Sequence, residues 1–222
     1  MKRFDCSAVV FDLDGVLVDS AAYVEQQWRR WASARGLRPE PFLRVCHGRR
    51  ALETIRIAAP HLDAEAEVRA FLPLEDTATD SIGPMPGALR LLTALPQGTW
   101  AVATSGSRLV ALNRLRRAGL PVPPVVICAE DVTRGKPSPD AFLLACRGLG
   151  FPPDHCLVVE DAPAGIQAAR AAEVAVVAVT TTHRADQLPA DACAESLVGV
   201  HLGRVNRAPD GRERLEILVV EV

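Results

Sequence analysis

Lysine is nearly missing from this 222-residue chain: of 25 basic residues, all but Lys2 and Lys136 are arginine. A chain that writes arginine almost everywhere has kept one internal lysine. The two side chains are not interchangeable where a compact point charge must fit, so Lys136 is marked for chemistry. Other shortages exclude whole classes. The six cysteines, Cys6, Cys46, Cys128, Cys146, Cys156 and Cys193, form no Cys-x-x-Cys pair. That argues against a zinc or disulfide framework and for thiols in a reducing cytoplasm. No apolar run approaches the roughly 20 residues that span a bilayer. The start, Met1-Lys2-Arg3-Phe4-Asp5, lacks the pattern of a secretory leader. A net charge of −2 and five scattered histidines give neither a nucleic-acid footprint nor zinc spacing. Repeats, low-complexity tracts and the glycine-rich nucleotide loops are missing as well. The expectation is a cytoplasmic protein, monomeric or at most weakly dimeric, with no membrane or nucleic-acid partner.

What is present is a core. Hydrophobic residues make up 49% of the chain. Short apolar runs at 8–11, 100–104, 125–128, 157–159 and 174–179 read as buried strands. Helical patterns at 107–117, 140–147 and 164–172 lie between the later ones. Strand alternating with helix predicts an α/β fold with a doubly wound parallel sheet. The first strand breaks the rhythm, because the next arrives only at residue 100 and the gap is helical in pattern. Asp19-Ser20 offers an N-cap, and Val24, Trp28, Trp31 and Ala32 form a stripe at helical spacing that Gly36 stops. Further helices read at 49–59 and 64–72, and Gly83-Pro84-Met85-Pro86-Gly87 reads as a hinge. The expected organisation is a core of 1–17 and 85–199, an α-helical cap inserted over 18–84, and a C-terminal extension of 200–222. That extension reads as a β-hairpin, 200–205 against 215–222, with Pro209-Asp210-Gly211 as a turn.

Each core strand delivers a chemically suggestive residue. Phe11-Asp12-Leu13-Asp14-Gly15-Val16 puts two carboxylates and a glycine at the carboxyl end of the first strand, the edge where open α/β sheets bind ligands. An Asp-x-Asp by itself also occurs in solvated turns. Thr104-Ser105-Gly106-Ser107 follows the second strand, Gly135-Lys136-Pro137 precedes the helix after the third, and Glu160-Asp161 follows the fourth. Four converging carboxylates would resist ionisation together, and a hard divalent cation such as Mg²⁺ resolves that.

This ordered set resembles the haloacid dehalogenase superfamily of phosphohydrolases, in its Asp-x-Asp branch with a helical cap after the first strand. The resemblance spans about residues 6–195. It is closest to the small-sugar and glycerol phosphatases of bacteria and yeast, through 103–107, Asp131-Val132-Thr133-Arg134-Gly135-Lys136-Pro137 and Val159-Glu160-Asp161-Ala162-Pro163-Ala164-Gly165. It implies an enzyme that hydrolyses small sugar or polyol phosphate monoesters through an aspartyl-phosphate. Asp12 would be the nucleophile and Asp14 the general acid/base. Thr104, Ser105 and Lys136 would bind the phosphoryl group. Asp12, Glu160, Asp161 and the Asp14 carbonyl would hold Mg²⁺. Cys46-His47-Gly48-Arg49-Arg50 falls in the cap specificity loop, which makes His47, Arg50 and Glu53 candidate substrate contacts, the alternative being a solvated helix start. The dehalogenases lack the second Asp, and the phosphonatases use a cap lysine that 18–84 does not contain. The β-phosphoglucomutases carry a His four residues before a cap Trp; here Val24 stands before Trp28, which favours a phosphatase. The alternatives are a phosphomutase of that type and a catalytically slow phosphate-ester-binding protein.

Overall fold

A computed structural model describes residues 1–75, 82–207 and 211–222, with nothing said of the side chains of 72–75. The chain opens with strand β1 (Lys2–Cys6), breaks at Ser7 and enters β2 (Ala8–Phe11), whose four side chains are all buried. Four helices follow: α1 (Ala21–Ser33), α2 (Glu40–Leu43), α3 (Ala51–Ala58) and α4 (Ala64–Glu75). Then come α5 (Ala88–Ala94), β3 (Trp100–Ala103), α6 (Arg108–Arg117), β4 (Val126–Ile127) and α7 (Asp140–Leu149). The chain continues with β5 (Cys156–Glu160), α8 (Pro163–Ala171), β6 (Ala175–Val179) and β7 (Ala192–Ala194). It ends with β8 (Val200–Arg207) and β9 (Glu213–Val219).

The main sheet is parallel, in the order β4-β3-β2-β5-β6-β7. Its strands are buried on both faces, which is why they read as unbroken apolar runs. Alternation sorts β2 between two cores: Val9 and Phe11 pack with α5 and α6, Ala8 and Val10 with α7 and α8. β2 lies between β3 and β5, so the strand order reverses at its carboxyl end. Such a reversal opens a crevice where ligands bind.

The second face is completed by a small antiparallel sheet in the order β1-β9-β8. Leu215, Ile217 and Val219 of β9 enter the same core as Phe11. β8 pairs antiparallel with β9, Val200 opposite Val219, and a third strand adds to this pair. β1 pairs along β9 from Lys2↔Val219 to Cys6↔Leu215, so the first residues join the last ones rather than leading straight into the main sheet. Lys2, Arg3 and Asp5 are exposed on this edge, and that polarity hid the strand. Of the expected Pro209-Asp210-Gly211 turn, Pro209 and Asp210 lie outside the described residues.

Helices α1 to α4 own a third core, built on aromatic stacking. Trp28 stacks on Phe71 with centroids 4.3 Å apart and on Phe42 at 5.6 Å, while Trp31 meets Phe42 edge-on at 5.1 Å. The two chain crossings into this unit run side by side. Asp19 donates its amide to the Gly83 carbonyl at 2.9 Å, and Met85 donates to Leu17 at 2.8 Å. Ser20 precedes α1 but makes no side-chain cap; its hydroxyl is drawn instead to the Asp14 carboxylate at 2.5 Å.

Candidate active site

Asp12 leaves β2 with its amide bonded to the Val159 carbonyl at 2.9 Å, so the first strand hands its carboxylate to the end of β5. Gly15 then turns the chain at φ +80°, and a Cβ there would collide with the Asp161 carboxylate. Gly165, early in α8, is required for a similar reason: a Cβ would occupy the place of the Glu160 carboxylate. Two glycines thus let acidic groups crowd the carboxyl edge of the sheet.

The centre of this crowd is Lys136, 1% exposed. Its ammonium donates to Asp12 Oδ1, to Glu160 Oε1 at 2.8 Å and to the Ala103 carbonyl at 3.2 Å. Glu160 Oε2 accepts the amides of Asp161 at 2.7 Å and Ala162 at 2.9 Å. Asp161 Oδ2 accepts from Thr182 Oγ1 at 2.6 Å, whereas its Oδ1 is buried without a partner.

Three buried carboxylates therefore crowd together with one ammonium, which bonds two of them. Burial is the main force pushing the Asp12 carboxyl up to about 7; Glu160 and Asp14 add to it and Lys136 opposes it. Asp161 is held well above the usual carboxylate range by burial, then by Glu160 and Asp12. Burial works against the charge of Lys136, yet Asp12 and Glu160 together outweigh it and raise its proton affinity. Oxygens of Asp12, Glu160 and Asp161 lie within 4.8 Å of one another. Oxygen donors, excess negative charge and the orphaned Asp161 Oδ1 fit a hard divalent cation.

Asp14 points elsewhere. Its Oδ1 accepts from Ser20 and from Nη1 of Arg114, a 3%-exposed arginine on α6. Sequence reasoning passed over Arg114. The signal was there: Val110, Ala111, Arg114 and Leu115 form the buried face of α6, and an arginine on a core face needs a buried partner. Thr104, at the end of β3, is buried, and its Oγ1 accepts the Gly106 amide at 3.0 Å. Ser105 Oγ donates to the Gly48 carbonyl at 3.0 Å, tying the sheet edge to the inserted helices.

Asp12, Asp14, Thr104 and Ser105 line a cavity of about 50 Å³. Val24, Gln27, Trp28 and Phe71 also line it, with His47, Gly48 and Arg49. His47 Nε2 lies 3.6 Å from Glu25 Oε1, and its ring meets His183 edge-on. Arg49, which the sequence reading quoted without a role, has a buried Nε with no partner.

Arg50 and Glu53, expected on the substrate, are not among the lining residues of this cavity. They pair with each other, and the Arg50 guanidinium donates to the carbonyls of Ala129 at 3.3 Å, Val132 at 3.0 Å and Thr133 at 3.1 Å. Three convergent carbonyls satisfy a planar fork better than the cavity does, so this pair clamps α3 to the loop before Lys136.

The haloacid dehalogenase-like hydrolase family model matches residues 6–173. Hexitol phosphatase A of Escherichia coli is 45% identical over 179 residues, covering 78% of this chain and 83% of that protein. Glycerol-1-phosphate phosphohydrolase 2 of Saccharomyces cerevisiae is 35% identical over 201 residues, covering 84% and 80%. Among solved structures, a hydrolase from Pseudomonas syringae superposes with a TM-score of 0.79 at 27% identity, covering 86% of this chain and 94% of that one.

Proposed function

The chain belongs to the haloacid dehalogenase-like hydrolases, and we propose that it is a Mg²⁺-dependent phosphatase of small sugar or polyol phosphate monoesters. The observation that carries this reading is the buried Lys136 held between Asp12 and Glu160, with Asp12 lining a small cavity beside Asp14 and Thr104. The relatives named hexitol phosphatase and glycerol-1-phosphate phosphohydrolase support the substrate class.

Asp12, its carboxylate oriented by Lys136, attacks phosphorus and displaces the ester oxygen, forming an aspartyl-phosphate. Asp14 gives the leaving oxygen a proton. It then takes one from the water that attacks phosphorus, which frees inorganic phosphate and restores Asp12. Thr104 Oγ1 already accepts from Gly106, so its own proton is available to a phosphate oxygen. The Ser105 amide and the Lys136 ammonium take others. Asp12, Asp161 and the Asp14 carbonyl would hold the cation; Glu160, whose Oε2 accepts two amides and whose Oε1 accepts from Lys136, would complete the acidic set around it. When bound, the metal supplies charge that neutralises the incoming phosphate among the carboxylates.

Residues 18–84 act as a cap that closes over the phosphoryl group and excludes water. His47 and Arg49, on the cavity side, read the hydroxyls of the leaving group; Arg50 and Glu53 hold the cap shut. Val24 supplies apolar wall where the resembling mutases place a histidine, which supports hydrolysis over isomerisation. The six unbridged cysteines are in keeping with work in the cytoplasm. The test is a panel of phosphate monoesters with Mg²⁺, followed by ³¹P NMR. Inorganic phosphate from hexitol or glycerol phosphates is the expected product; an isomeric sugar phosphate would overturn the assignment.

A further inference from the structure

We propose that Arg114 is a positioning residue that sets which oxygen of Asp14 handles the proton. The inference rests on the reading of Asp14 as acid and base.

The geometry is asymmetric. Oδ1 of Asp14 receives both the Ser20 hydroxyl and Arg114 Nη1, one donor just before α1 and one on α6. Oδ2 turns toward the sheet edge, 4.0 Å from where a Cβ on Gly106 would lie, beside the hydroxyl of Thr104. Asp14, Thr104, Gly106 and Arg114 all border the same cavity. One oxygen is an anchor and the other faces the place of a phosphate ester.

The cost of putting an arginine here argues for a purpose. Arg114 is buried on the core face of α6, and its Nε lies buried without a partner. Its guanidinium carbon sits 5.9 Å from the Tyr23 ring centroid. A buried guanidinium with one orphaned donor is a poor device for stability alone, since an apolar side chain of similar volume would pack without desolvation cost. It is a good device for fixing a carboxylate. The planar cation takes the Oδ1 lone pairs, so a proton on Asp14 resides on Oδ2. In the first step that proton passes from Oδ2 to the departing ester oxygen as the P–O bond breaks and Asp12 bonds to phosphorus. In the second, Oδ2 takes a proton from water as the oxygen of that water bonds to phosphorus and the bond to Asp12 breaks.

The experiment compares leaving groups under single turnover, with enzyme in excess over ester and Mg²⁺ present, reading release of the alcohol. Glycerol 1-phosphate leaves as an alkoxide and needs the proton; p-nitrophenyl phosphate leaves as a stable phenolate and does not. In Arg114→Gln the rate with glycerol 1-phosphate should fall about 100-fold, the penalty of a misplaced catalytic group. With p-nitrophenyl phosphate it should fall less than about 3-fold, with half-saturation for both esters little changed. Arg114→Lys, which keeps a cation without the planar fork, should shift the ratio of the two rates in the same direction by less. If Arg114→Gln does not fold, the ratio is read on Arg114→Lys alone. Equal losses with both esters, or no loss with either, would overturn the proposal. A wild-type protein that releases neither glycerol nor nitrophenol would instead overturn the phosphatase reading.

Discussion

Lys136 Nζ donates to Glu160 Oε1 at 2.8 Å while the same ammonium holds Asp12, so one cation is the hub of two buried carboxylates. The lysine is thus structural as well as electrostatic. Lys136→Met should abolish turnover and also destabilise the fold by roughly 3–5 kcal/mol, because it strands buried carboxylates. Lys136→Arg should not rescue activity, since a larger planar fork cannot occupy the ammonium's place. Thermal melts beside phosphate release check both; near wild-type turnover in Lys136→Arg would assign Lys136 a peripheral role.

Asp12→Asn should have the opposite effect on stability. It removes the nucleophile, so phosphate release should vanish. It also removes one of three crowded negative charges, so the metal-free protein should melt higher than wild type. Substantial turnover in Asp12→Asn would point to direct attack by water.

Metal and pH should be linked. Asp12 moves from its ordinary 3.8 up to about 7 on folding, and Asp161 moves in the same direction. The folded metal-free protein therefore binds more protons than the unfolded chain between these values. Its stability is complete below about pH 4 for these groups and declines as pH rises through 7, by about 1.4 kcal/mol per proton and pH unit. Mg²⁺ should flatten the decline, because the cation supplies the missing charge. Melting temperatures from pH 5 to 8, in chelator and in Mg²⁺, test this; parallel curves would count against a metal at the Asp12–Asp161 cluster.

The clamp and the cavity wall should separate kinetically. Arg50→Ala or Glu53→Gln should lower kcat/KM by similar factors for all esters, because the pair ties α3 to the loop before Lys136 and lies outside the cavity lining. His47→Ala should instead discriminate, hurting polyol and sugar phosphates more than p-nitrophenyl phosphate. A polyol-selective loss in Arg50→Ala would return Arg50 to the substrate.

Much of the architecture was legible in the chain alone. Strands β2 to β6 were visible because a parallel strand buried on both faces must be an unbroken apolar run. Their carboxyl ends placed Asp12, Asp14, Thr104, Glu160 and Asp161 along one edge by topology alone. Lys136 stood out by scarcity. β1 escaped because an edge strand exposed to water has no apolar period, and β7 because Ala192-Cys193-Ala194 holds no β-branched or aromatic residue to mark a strand.

What the sequence determines by itself is therefore the local alphabet: which segments bury themselves and which side chains each strand delivers to the sheet edge. Tertiary structure decides which of those side chains meet. Arg114 finds Asp14 across 100 residues, and Arg50 finds Val132 across 82 rather than the cavity that its neighbour Arg49 lines. Period and propensity are properties of neighbours in the chain. The partner of a buried charge is set by the nearest unsatisfied group in space, and that exists only once the sheet and the helices around it have packed together.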